Sequence, residues 1–287
     1  MAEGTAFLKF PAPDASIDTP ALDASLLLAE TLRMGRTDLI GRGNDPIGEA
    51  GREQFFRLLK RRRSGECTAY ILGRREFRGL DFCVNRQVLV PRPDTETLVE
   101  AALEHIDSMY GEEKNPSLLD LCTGSGAVAI SLKNERHFLT VSASDIFTEA
   151  LTTAAHNAAR LLDGSEACRI TQSVRFIESD IFEKIPDGYN IIVSNPPYVR
   201  TGELSALAPE VRQEPSLALD GGSDGLDLIR KIISRAQDHL LKPGVLLLEA
   251  GPEQMPAVKI LLEENGFRGI MVYKDLAGRD RVISGRS

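Results

Sequence analysis

The sequence predicts an α/β protein: a mostly parallel sheet with helices on both faces, preceded by a small helical region and a β-hairpin. Three observations predict it. From Ser117 onward, short apolar runs alternate with stretches of helical periodicity, the order that a parallel sheet with crossover helices produces. Ahead of residue 73, apolar residues recur at helical spacing instead. Between the two, residues 76–90 crowd Phe77, Leu80, Phe82, Val84 and Val88–Val90 around Gly79 and Asn85, which reads as a hairpin.

Residues 1–20, rich in Pro, Ala and Asp, are expected to be irregular at first. Helices are expected over Thr19–Met34, stopped by Gly35, over Glu49–Arg63, stopped by Gly65, and as a single turn over Ala69–Leu72. After the hairpin, Pro91-Arg92-Pro93-Asp94-Thr95 is a linker stiffened by two prolines. Its Asp94 or Thr95 can cap a helix over Glu96–Met109. Five strands follow at Leu118–Cys122, Phe138–Ala143, Val174–Glu178, Ile191–Ser194 and Val245–Glu249. Helices fit Ala127–Asn134, Phe147–Leu161, Leu226–Leu240 and Gln254–Glu264. Ile270–Lys274 and Arg281–Ile283 close the sheet as an antiparallel pair around Gly278.

Composition narrows the function. At 42% hydrophobic and 26% charged over 287 residues, the chain can build a core without staples. A net charge of −8 argues against a protein whose main task is gripping a nucleic-acid backbone. The charge is uneven: residues 1–100 carry 15 basic and 15 acidic side chains, and residues 101–287 carry 19 and 27. The front part holds a basic run, Lys60 to Arg63, which reads either as a solvated helix face or as a docking surface for an acidic partner. Cys67, Cys83, Cys122 and Cys168 form no C-x-x-C pair, so neither a disulfide framework nor a metal site is expected. No stretch resembles a signal peptide or a membrane span. A cytoplasmic monomer without membrane or direct nucleic-acid contacts is expected.

Two motifs carry chemistry. The first strand runs into Asp120-Leu121-Cys122-Thr123-Gly124-Ser125-Gly126 and then a helix. Glycines at 124 and 126 let a ligand approach the backbone, and the helix N-terminus offers free N–H groups. Asp145, at the end of the next strand, can accept both ribose hydroxyls of an adenosine cofactor. The loop also fits a dinucleotide site. Asp120, placed to hold a cationic amino group, and the lack of a second glycine turn favour S-adenosylmethionine. Asp180 and Ile181, with Phe182, can clasp an adenine; an ordinary strand-end aspartate is the plainer reading.

The second motif, Asn195-Pro196-Pro197-Tyr198, follows the fourth strand. It is expected beside the first strand, in the crevice where such sheets bind ligands. An amide nitrogen is a poor nucleophile because its lone pair is delocalised. The Asn195 side-chain oxygen and the Pro196 carbonyl can accept its two hydrogens and aim the lone pair at a methyl group. Prolines stiffen the segment, and Tyr198 offers a flat face for stacking. None of the four histidines falls in a motif. Amino-methyltransferases acting on adenine share this motif type, but they must extrude their base, and this chain shows no basic target-reading domain. A dehydrogenase reading leaves Asn195–Tyr198 unexplained.

With these residues the chain resembles the HemK/PrmC family of protein-(glutamine-N5) methyltransferases. The match includes Ala69–Gly73, Glu76-Phe77, Gly79, Val88–Pro93, both motifs, Glu214-Pro215 to Leu219, Gly221-Gly222, Asp224–Leu226 and Gly278–Arg281. The resemblance implies a Rossmann-like, seven-stranded class I methyltransferase domain over 95–287, a hairpin and Pro-rich linker over 76–94, and a helical substrate-recognition domain over 1–75. It implies S-adenosyl-L-methionine as donor, S-adenosyl-L-homocysteine as product, and the glutamine of the Gly-Gly-Gln loop of peptide-chain release factors as acceptor. The glycine loop, Asp145 and Asn195 would contact the cofactor. Asn195 to Tyr198 would hold the glutamine, with Arg92 close by. The family commonly has Gly where Cys122 stands, Glu where Asp94 stands and Pro where Cys67 stands.

Overall fold

Leu118, Leu119 and Leu121, Ile191–Val193 and Val245–Leu248 are all sealed from solvent, as central strands covered on both faces must be. In the computed structural model, which describes residues 1–12, 15, 17–42, 45–110, 115–162, 174–185 and 188–287, these runs form the middle of a seven-stranded sheet. The chain divides into two compact units: Met1–Arg74 with Ser205–Glu214, and Arg75–Leu204 with Pro215–Ser287.

The first unit contains α1 (Ala2–Leu8), α2 (Pro20–Leu32), α3 (Arg36–Gly41), α4 (Glu49–Arg63) and α5 (Thr68–Leu72). Leu8, Leu27, Leu28, Phe55, Leu58 and Leu59 form its core. The sequence reading placed irregular chain where α1 lies and gave no helix at α3. Gly4 hides α1 from propensity; a Cβ there would come within 2.6 Å of the Phe55 ring, so α1 exists through packing on α4. The basic run is largely spent internally. Arg62 is buried and pairs with Asp23 at 2.7 Å and Glu210 at 2.9 Å. Arg61 pairs with Glu66, and Arg63 donates to the Phe10 carbonyl and lies over the Phe7 ring. The segment Ser205–Glu214, placed by sequence with the sheet domain, joins this unit through Glu210 and through Gln213, whose Nε2 donates to the Gly65 carbonyl.

The hairpin β1 (Arg74–Phe77) and β2 (Leu80–Cys83), which from Arg75 onward belongs to the second unit, has turn residues Arg78 and Gly79 that both have positive φ, as a tight hairpin turn requires. Val88 and Val90 are buried but lie outside any strand, so the hairpin is shorter than the reading to residue 90. Next come α6 (Glu96–Met109), β3 (Ser117–Leu121), α7 (Ala127–Glu135), β4 (Thr140–Asp145), α8 (Thr148–Leu162), β5 (Val174–Glu178) and β6 (Tyr189–Ser194). After β6 lie α9 (Asp227–His239), β7 (Leu240–Glu249), α10 (Met255–Glu264), β8 (Arg268–Lys274) and β9 (Asp280–Arg286). The strand order is β5-β4-β3-β6-β7-β9-β8, with β9 antiparallel to both β7 and β8. Leu118, Ile191, Val193 and Leu247 pack on the side of α6 and α7. Their neighbours Leu119, Ile192, Leu246 and Leu248 pack on the side of α9 and α10, the period-two alternation of strands.

The chain leaves β3 toward β4 and β5, then returns to the other side of β3 as β6. This reversal of strand order opens a crevice at the carboxyl ends of β3 and β6. Leu121 pairs with Ser194 there, and the Ser194 hydroxyl donates to the Leu121 carbonyl at 2.8 Å. Cys67, Cys83 and Cys122 are free thiols; Cys168 lies outside the described residues. Among the described residues no helix is long and apolar enough to cross a membrane.

Candidate active site

A pocket of about 440 Å³ occupies the crevice, within the size range of small-molecule sites. Of the residues expected from sequence, Cys122, Gly124, Asp145, Asp180, Ile181, Asn195 and Pro197 line it. Asp120, Thr123, Ser125, Gly126, Arg92, Pro196 and Tyr198 do not.

The residues behind the wall shape the loop. Asp120 is buried, and its Oδ2 accepts the Thr123 hydroxyl at 2.6 Å and the Ala129 N–H at 3.2 Å. Burial pushes its carboxyl up to about 7, against these two donors. Asn157, fully buried on α8, donates to the Ser125 carbonyl at 2.9 Å and the Cys83 carbonyl at 3.0 Å, and accepts the Cys83 N–H. It ties the hairpin to the loop. Gly126 has φ +82°, and a Cβ there would meet Ile130 at 2.7 Å. Gly124 has φ +54° and nothing within 4 Å of its would-be Cβ.

Asp145 ends β4 on the pocket wall. Its carboxylate accepts the Gly124 N–H at 2.9 Å and the Phe147 N–H at 3.1 Å. Burial raises its pKa, and these backbone donors oppose the rise. Ile181 has φ +50°, costly for a β-branched residue and typical of functional sites. Phe182 is not in the wall; it stacks on His239 in the core, ring centroids 4.4 Å apart.

Cys122 has φ +59°, the left-handed region that favours glycine. Burial, and then the Asp145 charge, push its thiol above the ordinary cysteine range, which leaves it a poor nucleophile. Cys122→Gly is expected to relieve about 1 kcal/mol of backbone strain and raise Tm by about 2–4 °C. A thermal melt checks it; an unchanged or lower Tm would show that no strain is held there.

Beyond the wall, the Asn195 motif is anchored by groups far away in sequence. Asn195 Nδ2 donates to the Thr95 hydroxyl oxygen at 3.1 Å. Thr95 therefore serves the site and makes no side-chain cap for α6, contrary to the sequence reading; the Pro93–Thr95 turn is 3₁₀. Asp94 is no cap either, and its carboxylate pairs with Arg279 and Arg281. The Tyr198 hydroxyl donates to Glu249 Oε1 at 3.1 Å. Burial and the Glu249 charge raise the Tyr198 pKa, while the Arg281 and Arg92 charges oppose that rise. Glu249, fully buried at the end of β7, is pushed up to about 7 by burial, against donation from the Thr95 and Tyr198 hydroxyls. Gln254 Nε2 donates to the Tyr198 carbonyl at 2.9 Å and to the Asp224 carbonyl at 3.2 Å. Sequence reasoning missed Thr95, Asn157, Glu249 and Gln254. Only Glu249 left a signal, a charge ending the apolar run Val245–Leu248.

The fold and this site define a methyltransferase of the Rossmann-like α/β class. A family model described as "Methyltransferase small domain" matches residues 96–214, and one described as "PrmC N-terminal domain" matches residues 2–73. The sheet resembles that of a methyltransferase from Pyrococcus furiosus, with a TM-score of 0.51, 18% identity, and coverage of 73% of this chain and 90% of that one. The "Release factor glutamine methyltransferase" of Neisseria gonorrhoeae is 43% identical over 270 residues, 93% of each chain. That of Burkholderia pseudomallei is 41% identical over 268 residues, 93% of this chain and 92% of its own. The chain belongs to the release factor glutamine methyltransferase family.

Proposed function

We propose that this protein transfers a methyl group from S-adenosyl-L-methionine to the side-chain amide nitrogen of the glutamine in the Gly-Gly-Gln loop of peptide-chain release factors. The observation that carries this reading is the meeting of the glycine loop and Asn195 in one pocket, with Asn195 Nδ2 already committed to Thr95. That leaves Oδ1 to accept an N–H from a planar amide.

The residues fit an adenosyl donor. The space beside Gly124 is open to a ligand, and the Asp145 carboxylate, fixed by two backbone N–H groups, sits on the wall where ribose hydroxyls would donate to it. Ile181 and Asp180 flank the same space. When bound, the donor supplies an electrophilic methyl group on a sulfonium. Asn195 Oδ1 and the Pro196 carbonyl accept the two amide hydrogens, which localises the nitrogen lone pair and points it. Pro197 closes the pocket side of the motif; Tyr198 and Arg92 stand outside that wall, and the Tyr198 ring would stack on the amide from the acceptor's side. After transfer the nitrogen is acidic and passes its surplus proton through these acceptors to water, so no strong base is required. The helical unit would recognise the body of the release factor.

Labelled donor, purified release factor and a Gly-Gly-Gln→Gly-Gly-Ala control test this directly, with adenine-containing DNA as a second acceptor. Label confined to the unaltered factor is the expected result. Equal labelling of the control would overturn the acceptor, and label on DNA would overturn the substrate class.

A further inference from the structure

Thr95 can orient Asn195 only while the linker that carries it stays in place. Its hydroxyl oxygen receives from Asn195 Nδ2 at 3.1 Å, and the residue before it, Asp94, ties that linker to the far end of the chain. Asp94 Oδ2 lies 3.1 Å from Arg279 Nη2 and 3.0 Å from Arg281 Nη2. Both guanidinium groups also reach Asp275 Oδ2, Arg279 Nη2 at 2.9 Å and Arg281 Nη2 at 3.4 Å. Two carboxylates and two guanidinium groups therefore alternate, with their charges balanced. Asp275, Arg279 and Arg281 belong to the turn between β8 and β9 and to the start of β9, and that turn is a rigid mount. Asp275 Oδ1 accepts the Ala277 N–H at 2.9 Å and the Arg279 N–H at 3.0 Å. The Asp275 N–H donates to the Arg279 carbonyl, and the Gly278 N–H to the Asp275 carbonyl, each at 2.8 Å.

We infer that Asp94 is a positioning residue: clamped by Arg279 and Arg281, it fixes the linker so that Thr95 meets Asn195 and aims the Asn195 oxygen at the acceptor amide. The inference rests on the reading of Asn195 as the ligand of that amide. The connections form a closed circuit. From Asn195 they run through Thr95 and Asp94 to the turn, along β9, across to β7 and across again to β6, which leads back into Asn195. Thr95 is thereby fixed relative to the very strand that places Asn195. Arg281 and Asp275 are buried, so solvent screens this cluster less than an exposed pair. Stability alone explains the cluster poorly. Arg281 Nε has no hydrogen-bond partner among the described residues, and an unsatisfied buried donor is costly. Buried ion pairs can often be replaced by apolar residues with no loss of stability.

The test compares Asp94→Ala, Asp94→Glu, Arg281→Met, Asn195→Ala and the Asp94→Ala/Asn195→Ala double variant in the full-length protein, by kcat on a release factor, cofactor Kd and Tm. Asp94→Ala releases the linker from the turn, and Arg281→Met breaks the same tie from the other side. Each is expected to lower kcat at least ~10-fold, an effect below that of removing a direct contact. Cofactor Kd should stay within about 3-fold, because the pocket wall holds neither residue. Asp94→Glu keeps the carboxylate and should recover most of the turnover. If Asp94 acts through Asn195, its loss matters only while Asn195 is present. The double variant should then be no slower than Asn195→Ala by more than about 3-fold, whereas a merely structural role would add its full loss. Wild-type kcat in Asp94→Ala, or losses that multiply in the double variant, would overturn the inference. Asn195→Ala separates the two levels. If that variant turns over normally, the site reading fails; if it is inactive while Asp94→Ala is fully active, only the role of Asp94 fails.

Discussion

Asn195→Ala is expected to lower turnover by at least ~10²-fold, the scale of removing one preorganised polar contact, with cofactor affinity changed far less. The reason lies in how Asn195 is held. Its backbone follows β6, locked to β3 by the Leu121–Ser194 pair, and its Nδ2 is fixed on Thr95. The oxygen is therefore aimed before substrate arrives, and its contribution is realised as the amide lone pair localises. The alanine variant keeps the backbone and the adjacent Pro196, so the loss should fall on kcat. Single-turnover methyl transfer alongside cofactor titration separates the two. Turnover within a few fold of wild type would remove Asn195 from the chemistry.

Gly221→Ala is expected to be nearly as damaging, although Gly221 has no side chain to contribute. A Cβ at 221 would lie 2.7 Å from the Gly225 carbonyl oxygen and the Tyr198 Cα, and 2.8 Å from the Pro197 carbonyl oxygen. All three are backbone atoms, so no rotamer change relieves the contact. The loop is also tied to the motif: Gly221 N–H donates to the Val199 carbonyl at 2.8 Å, and Val199 N–H donates to the Leu219 carbonyl at 2.9 Å. Making room must move Pro197 and Tyr198, and a displacement of about 1 Å at such a site costs on the order of 10²-fold in rate. Gly202→Ala is the control, because nothing lies within 4 Å of its would-be Cβ. Normal kcat in Gly221→Ala would show that the motif tolerates displacement.

Much of the fold was legible because it rests on local periodicity. Continuous apolar runs mark β3, β6 and β7, and α4 and α6 match their expected bounds. The β4 strand was placed two residues early, since Phe138 and Leu139 are apolar but precede the first pairing at Thr140. Helix α1 was missed because its stability comes from Phe55 and Leu59 on α4, not from its own residues.

For the site, the chain order of Gly124, Asp145 and Asn195 was enough to place them at strand ends, because parallel strands with crossovers bring their carboxyl ends to one side. What supports them was not legible. Thr95 reads as a helix cap, and its partner Asn195 is 100 residues away; Asn157 reads as an ordinary helix residue until the Cys83 backbone reaches it across 74 residues. Tyr198 reads as a stacking face, and the structure shows its hydroxyl held by Glu249. The sequence by itself determined the strands of the sheet, the helices that connect them and the pocket residues Gly124, Asp145 and Asn195, because pattern and motif are local properties of the chain. The tertiary structure alone decided which way Asn195 faces and which loops may touch the motif, because hydrogen-bond direction and backbone clearance depend on groups the chain brings together only when folded.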